Sequence, residues 1–148
     1  MIGLLQRVRH AQVEINSECI AAIGPGMLVL VGVQRDDDEE AADRLLQRLL
    51  GYRVFGDAED RMNLNIMQSG GELLLVPQFT LAADTSSGMR PGFSTAATAA
   101  VGEHLFTYLH AQAQLQPLKV ASGRFGKDMQ VSLVNDGPVT FWLEVKPR

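Results

Sequence analysis

Two stretches of this sequence carry residues whose backbone is their chemistry. The first, Asn135-Asp136-Gly137-Pro138-Val139-Thr140, lies between two runs that read as strands, 129–134 and 141–145. Asn, Asp and Gly reach positive φ or hydrogen-bond their own backbone, so the pattern predicts a turn joining two arms of a hairpin. Gly137 relieves the Cβ clash that restricts a residue before proline. Pro138 fixes its own φ and offers no N–H. A cis peptide is cheap only at an X-Pro bond, about 0.5–1 kcal/mol above trans. Local sequence leaves both isomers open: trans gives an ordinary loop, whereas cis turns two successive carbonyls to one side as a rigid main-chain surface. The second stretch, Pro77-Gln78-Phe79-Thr80-Leu81, ends an apolar run. Proline cannot donate to a ladder, so the strand there is an edge, is bulged, or leaves the sheet. A strand leaving its sheet beside polar Gln78 and Thr80 marks a place for a pocket.

Side-chain nucleophiles are missing. No Gly-x-Ser-x-Gly elbow occurs, and no cysteine is paired with a plausible histidine. Cys19 falls in an apolar run and reads as a small core residue. No Walker loop or dinucleotide glycine fingerprint is present. Three His and one Cys are too few for a zinc site. The acidic block Asp36-Asp37-Asp38-Glu39-Glu40 lacks the interleaved Gly and Asn of a hard-cation loop and reads as a helix start. No metal or cofactor is expected. Thr80 is the best hydroxyl, with nothing near it in sequence to deprotonate it. An enzyme built from these residues would work by positioning and main-chain dipoles. His104 and His110 fall on a helix and read as structural. Phe125 and Met129, flanked by Arg124 and Lys127, form either an apolar slot for a nucleobase or part of the core with two solvated charges.

The elements that must position these residues are legible in outline. Residues 1–33 read as a β meander, with a polar turn at Asn16-Ser17-Glu18 and a second turn at Gly24-Pro25-Gly26. The run 27–33 is apolar on both faces and belongs in the middle of a sheet. Ala42, Leu45, Leu46, Leu49 and Leu50 recur at helical spacing after the acidic block, with Gly51 at the stop position. A short strand at 52–55, a polar loop at 56–65 and a second buried strand at 72–81 follow. The loop 82–94 has the length at which loops are usually functional or disordered. A helix over 95–113 and a strand starting at 118–120 complete the pattern.

With 148 residues, 46% hydrophobic and 20% charged, the expectation is a single domain over 1–148 with a substantial core. The fold class is α/β: sheets folded into a barrel-like or layered core, with two main helices packed outside. No apolar run approaches the ~18 residues of a membrane span. The N-terminal residues lack a signal-peptide pattern and the lone cysteine fits a reducing compartment, so a cytoplasmic location is expected. The net charge of −4 argues against a surface that grips nucleic acid throughout. A small basic mouth taking one end of an RNA remains compatible with it.

The two motifs together resemble those of the D-aminoacyl-tRNA deacylases. The similarity extends to Gln6-Arg7-Val8, Gly51-Tyr52-Arg53-Val54-Phe55, Met62-Asn63-Leu64-Asn65, Met89-Arg90-Pro91 and Asp128-Met129-Gln130-Val131-Ser132-Leu133, in order along nearly the whole chain. The resemblance implies a homodimer with two active sites at its interface and aminoacyl-tRNA as substrate. It implies hydrolysis of the ester between a D-amino acid and the terminal adenosine of tRNA, with glycine also admitted. Gln78, Phe79 and Thr80 of one subunit would carry the reaction. Gly137 and Pro138 of the partner subunit, joined by a cis bond, would reject L-aminoacyl esters. Phe125 and Met129 would hold adenine, and Arg7 would brace the Gly-Pro pair or meet phosphate. Where the family's first motif usually begins with Ser this chain has Pro77, so no side-chain role carries over to that position. The alternative expectations are a non-catalytic protein that binds the RNA 3′ end, and an oligomeric scaffold.

Overall fold

The computed structural model describes residues 1–148. Its longest early element is β1 (Ile2–Ile15), which turns through Asn16 and Ser17, both at positive φ (51° and 65°), into β2 (Glu18–Ile23). A two-residue turn of this kind matches the twist of a tight hairpin. β3 (Gly26–Gly32) then pairs with β1 as well, not with β2. The pairs Ala11↔Ile23 and Val8↔Gly26 belong to one unbroken register, so β2 and β3 are two segments of a single antiparallel arm. The expected meander is therefore corrected: Gly24-Pro25-Gly26 interrupts the arm without reversing it. The interruption has a physical cause in β6 (Glu72–Pro77), whose Glu72 crosses here. A Cβ on Gly26 would lie 1.9 Å from the Glu72 carbonyl oxygen, so only glycine fits. The Gly24 N–H donates to Glu72 Oε1 at 2.7 Å, and the Glu72 N–H donates to the Pro25 carbonyl at 3.0 Å.

β6 runs parallel to β3, and β7 (Val120–Ser122) runs parallel to β6, giving the order β2-β1-β3-β6-β7. β3 and β6 are buried on both faces, as their continuous apolar runs predict. One face packs against the helices α1 (Glu39–Gly51) and α3 (Ala99–Gln114) through Leu5, Val29, Leu45, Leu49, Leu105 and Leu109. The other face curls on itself around Val8, Val13, Leu28, Leu74 and Val76, forming a nearly closed barrel. The expected α/β architecture, with a barrel-like sheet and two main helices outside, is the one observed.

Asp38 caps α1, accepting from the Ala41 N–H at 2.9 Å, while Glu39 and Glu40 sit at the positive end of the helix dipole. Leu45 and Leu49 are fully buried, and truncating either to alanine would cost about 2–5 kcal/mol. Asp37, one residue earlier, is buried against the Met1 ammonium at 2.9 Å, and its other oxygen accepts from the Gln34 N–H at 2.7 Å.

Several local expectations differ from the structure. Residues 52–54 form no strand: the Val54 N–H turns back to the Tyr52 carbonyl at 3.2 Å, and only β4 (Phe55–Gly56) and β5 (Met62–Leu64) pair there. The polar segment then ends in a short α2 (Ile66–Ser69), fixed by reciprocal capping between Asn65 and Gln68. α3 starts at Ala99 with Thr98 as its cap, four residues after the expected start. Cys19 is exposed at the turn end of β2, opposite Glu14, while Ile20 and Ile23 of the same strand pack on the barrel side.

The largest departure is at the C-terminus. β8 (Gln130–Glu144) is one strand, and the two runs at 129–134 and 141–145 are not arms of a hairpin. Both halves pair antiparallel with the same strand, β1, from Glu14↔Gln130 to Ile2↔Glu144. Since Gln6 faces Thr140 and Val8 faces Asn135, residues 136–139 stand opposite Arg7 alone as an outward loop. Asn135 closes it, accepting from the Val139 N–H at 2.8 Å and donating to Thr140 Oγ1 at 2.8 Å. The Asx turn chemistry that the sequence predicts is present, but it builds a bulge instead of a reversal.

Candidate active site

Pro77 is where β6 leaves the sheet. Pairing with β7 ends at Leu75↔Ser122, so the N–H that proline lacks falls beyond that ladder and costs nothing. The Gln78 N–H still donates to the Val31 carbonyl at 2.8 Å, and the chain then tightens into a 3-10 turn, Phe79–Ala82. The buried strand is therefore shorter than the expected 72–81. Gly32 lets the turn press on the end of β3, since a Cβ there would be 2.9 Å from Leu81 Cβ. The Phe79 and Thr80 N–H groups open this turn, and Gln78 does not cap them with its side chain. As the first N–H groups of a 3-10 turn they have no partner within it, so two donors are left free at its start. Gln78 Nε2 instead donates to Thr80 Oγ1.

This turn forms one wall of a cleft of about 660 Å³. Pro77, Gln78 and Phe79 line it together with Phe125 and Met129, so four of the expected site residues meet here. Phe125 lies against α3 at Gly102, where a Cβ would come 3.3 Å from its ring. It is half-buried on the main core while Met129 packs on the barrel side. These two residues close the core and also furnish an apolar wall of the cleft. Lys127 is the one charged residue of the lining.

The loop 82–94 supplies a residue that sequence reasoning missed. Phe93 lines the cleft and packs on Phe79, ring centroids 5.4 Å apart, and both are largely exposed at 45% and 59%. The loop is held by paired hydrogen bonds between Asp84 and Gly92 and by Thr95 Oγ1 donating to the Ala82 carbonyl at 2.7 Å. The hydroxyl and N–H of Ser86 hold the Asp84 carboxyl below the usual carboxylate range. Only the length of the loop signalled a role; the pairing of Phe93 with Phe79 is a tertiary fact.

Thr80 lies on the far side of the turn, lining a second cleft of about 560 Å³ with Asp84, Trp142 and Glu144. Gly137 and Pro138 line neither cleft of their own chain and are both exposed. The peptide bond between them is cis. Arg7 holds this loop from below: Nε donates to the Asp136 carbonyl at 2.9 Å, and a second nitrogen donates to the Val54 carbonyl at 2.7 Å. None of the three histidines lines either cleft, and no three His, Cys, Asp or Glu side chains come together as a metal site. No helix is long and apolar enough to cross a membrane.

A family model described as D-Tyr-tRNA(Tyr) deacylase matches residues 4–144. The chain is 63% identical to a D-aminoacyl-tRNA deacylase of Pseudomonas putida (strain W619), across 98% of this chain and 100% of the relative. It is 62% identical to one from Stutzerimonas stutzeri (strain A1501), across 97% and 99%. Among solved structures, a c-Myc DNA unwinding element binding protein superposes with a TM-score of 0.94 at 33% identity, covering 99% of this chain and all of the other. A probable eukaryotic D-amino acid tRNA deacylase superposes at 0.80 and 18% identity, across 96% and 97%, a likeness of fold.

Proposed function

The chain belongs to the D-Tyr-tRNA(Tyr) deacylase family, and we propose that it hydrolyses the ester joining a D-amino acid to the terminal adenosine of tRNA, a chiral proofreading step in translation. The carrying observation is the cleft that gathers Gln78, Phe79, Phe125 and Met129 in a chain matched to such deacylases over nearly its full length. The enzyme is a hydrolase: water adds to the ester carbonyl, and the bond to the ribose oxygen breaks. The products are a free D-amino acid and a tRNA with its terminal hydroxyl restored.

In this reading adenine rests on Phe125 and Met129, and Gln78 orients the aminoacyl group. The free N–H groups of Phe79 and Thr80 receive the developing oxyanion. No histidine, carboxylate or cysteine lines the cleft, so in this reading the ribose hydroxyl beside the ester helps activate the water. Substrate positioning and fixed dipoles supply the rest of the acceleration. The reaction places the protein where charged tRNA is, in the cytoplasm.

The site is completed by a second copy. β8 pairs only on its β1 side, leaving a long free edge with Val134, Phe141 and Trp142 exposed. Gly137 and Pro138, which line no cleft of their own chain, would enter the partner's. There the side chain of an L-ester would meet main-chain carbonyls that cannot rotate aside, while a D side chain points out. A clash of about 4 kcal/mol gives roughly a thousandfold discrimination. Glycine, lacking a side chain, passes the same filter.

The test is deacylation of D-tyrosyl-tRNA and L-tyrosyl-tRNA by the purified protein. Cleavage of the D-ester alone is the expected result. Protection of tRNA without cleavage would favour the non-catalytic 3′-end binder, and the absence of both cleavage and protection would favour a scaffold.

A further inference from the structure

Of the eighteen residues that line the large cleft, twelve are hydrophobic and one, Lys127, is charged. Lys127 forms no salt bridge, and its neighbour Asp128 does not pair with it. Gly126, at φ +75°, sets the turn that brings Lys127 beside Phe125 on the cleft wall. A lone uncompensated ammonium in an apolar cleft selects a ligand with a flat apolar part and one anionic group nearby. A nucleoside monophosphate has that chemistry; a nucleoside does not.

We propose that Lys127 binds the phosphate on the 5′ side of the terminal nucleoside, so that the cleft recognises a nucleotide and not a nucleoside. The proposal rests on the deacylase reading for its substrate, and deepens it by assigning a phosphate contact. Lysine acts here as a point charge on a flexible stem, so arginine can replace it in charge though not in geometry. Arg124 is also exposed and unpaired but lies outside the lining, which makes it the natural control.

Binding of adenosine and of adenosine 5′-monophosphate is measured by calorimetry at low salt, for the unaltered protein and for Lys127→Ala, Lys127→Arg and Arg124→Ala. The unaltered protein should bind the monophosphate roughly fivefold to tenfold more tightly, and added salt should shrink the difference. Lys127→Ala should bring the ratio to one, Lys127→Arg should keep most of it, and Arg124→Ala should leave it unchanged. Equal binding of the two ligands, or a preference that survives Lys127→Ala, overturns the proposal. So does a ratio that falls with Arg124→Ala alone. Because the readout is binding, it is independent of turnover: a D-tyrosyl ester assay run in parallel reports separately on the deacylase reading.

Discussion

Arg7 Nε lies 2.9 Å from the carbonyl oxygen of Asp136, the residue that leads into Gly137. The same guanidinium donates to the Val54 carbonyl, so one side chain ties the β8 loop to the segment before β4. It is only 19% exposed, which gives its hydrogen bonds weight. The sequence allows Arg7 two roles, a brace or a phosphate contact. The contacts favour the brace.

Arg7→Ala should free the loop at 136–139 and leave two carbonyls without their donor. The expected effects are a loss of about 1–3 kcal/mol in stability and a roughly tenfold fall in D-over-L discrimination, through faster cleavage of the L-ester. Arg7→Lys should not restore discrimination, because one ammonium cannot span both carbonyls. Paired rates on D- and L-tyrosyl-tRNA, with a urea titration, check this. Unchanged discrimination in a folded Arg7→Ala protein would remove the brace.

Thr80 accepts a hydrogen bond from Gln78 and does not line the main cleft. Its hydroxyl therefore acts on Gln78, and in the proposed mechanism only its N–H would meet the substrate. Thr80→Ala should keep activity within about tenfold, since one neutral hydrogen bond contributes roughly 0.5–1.5 kcal/mol. A loss of three orders of magnitude with the fold intact would mean that the hydroxyl takes part directly.

Histidine is absent from both clefts, so His10→Gln, His104→Gln and His110→Gln should each leave kcat/KM within about twofold, too small a change for a lost general base. His110 should still matter for stability. Partial burial pushes its pKa below the ordinary 6.5. The unfolded chain therefore binds a proton first as pH falls, and stability is full above about 6.5 and declines below it. Thermal melts from pH 7.5 to 5.5 should show that decline, and it should be smaller in His110→Gln.

Asp37 and the Met1 ammonium form a fully buried pair. Removing Asp37 leaves the buried ammonium without a counter-charge, held only by the Gln34 amide oxygen and the Val145 carbonyl, at a cost of about 3–5 kcal/mol. Asp37→Ala should therefore lower the urea midpoint by an amount comparable to a large core truncation. A loss of less than about 1 kcal/mol in unfolding free energy would show that the ammonium is solvated instead.

How far the sequence reveals all this depends on the range of the interactions. Asp38 and the Leu45/Leu49 spacing announce α1 locally, and Pro77 announces that a strand leaves its sheet. Gly24-Pro25-Gly26 and Asn135-Asp136-Gly137 announce turns, yet neither reverses the chain. Turn residues specify local φ and ψ, whereas the direction of the following strand is set by its partner. In both cases that partner is β1, more than a hundred residues from β8. The cleft was half legible: Gln78, Phe79, Phe125 and Met129 were named from sequence, but Phe93 meets Phe79 only through the folded loop. Thr80 was placed with them by adjacency, and the 3-10 turn carries it to the other side.

The four residues opposite Arg7 are anchored at both flanks by ladder bonds to one strand. A hairpin tip can sway about its base; a tooth set midway along a beam cannot. Whatever meets residues 136–139 therefore meets a surface whose position is referenced to the whole barrel, and the flanking amides that bond to β1 should exchange with solvent only when β8 lifts away entirely.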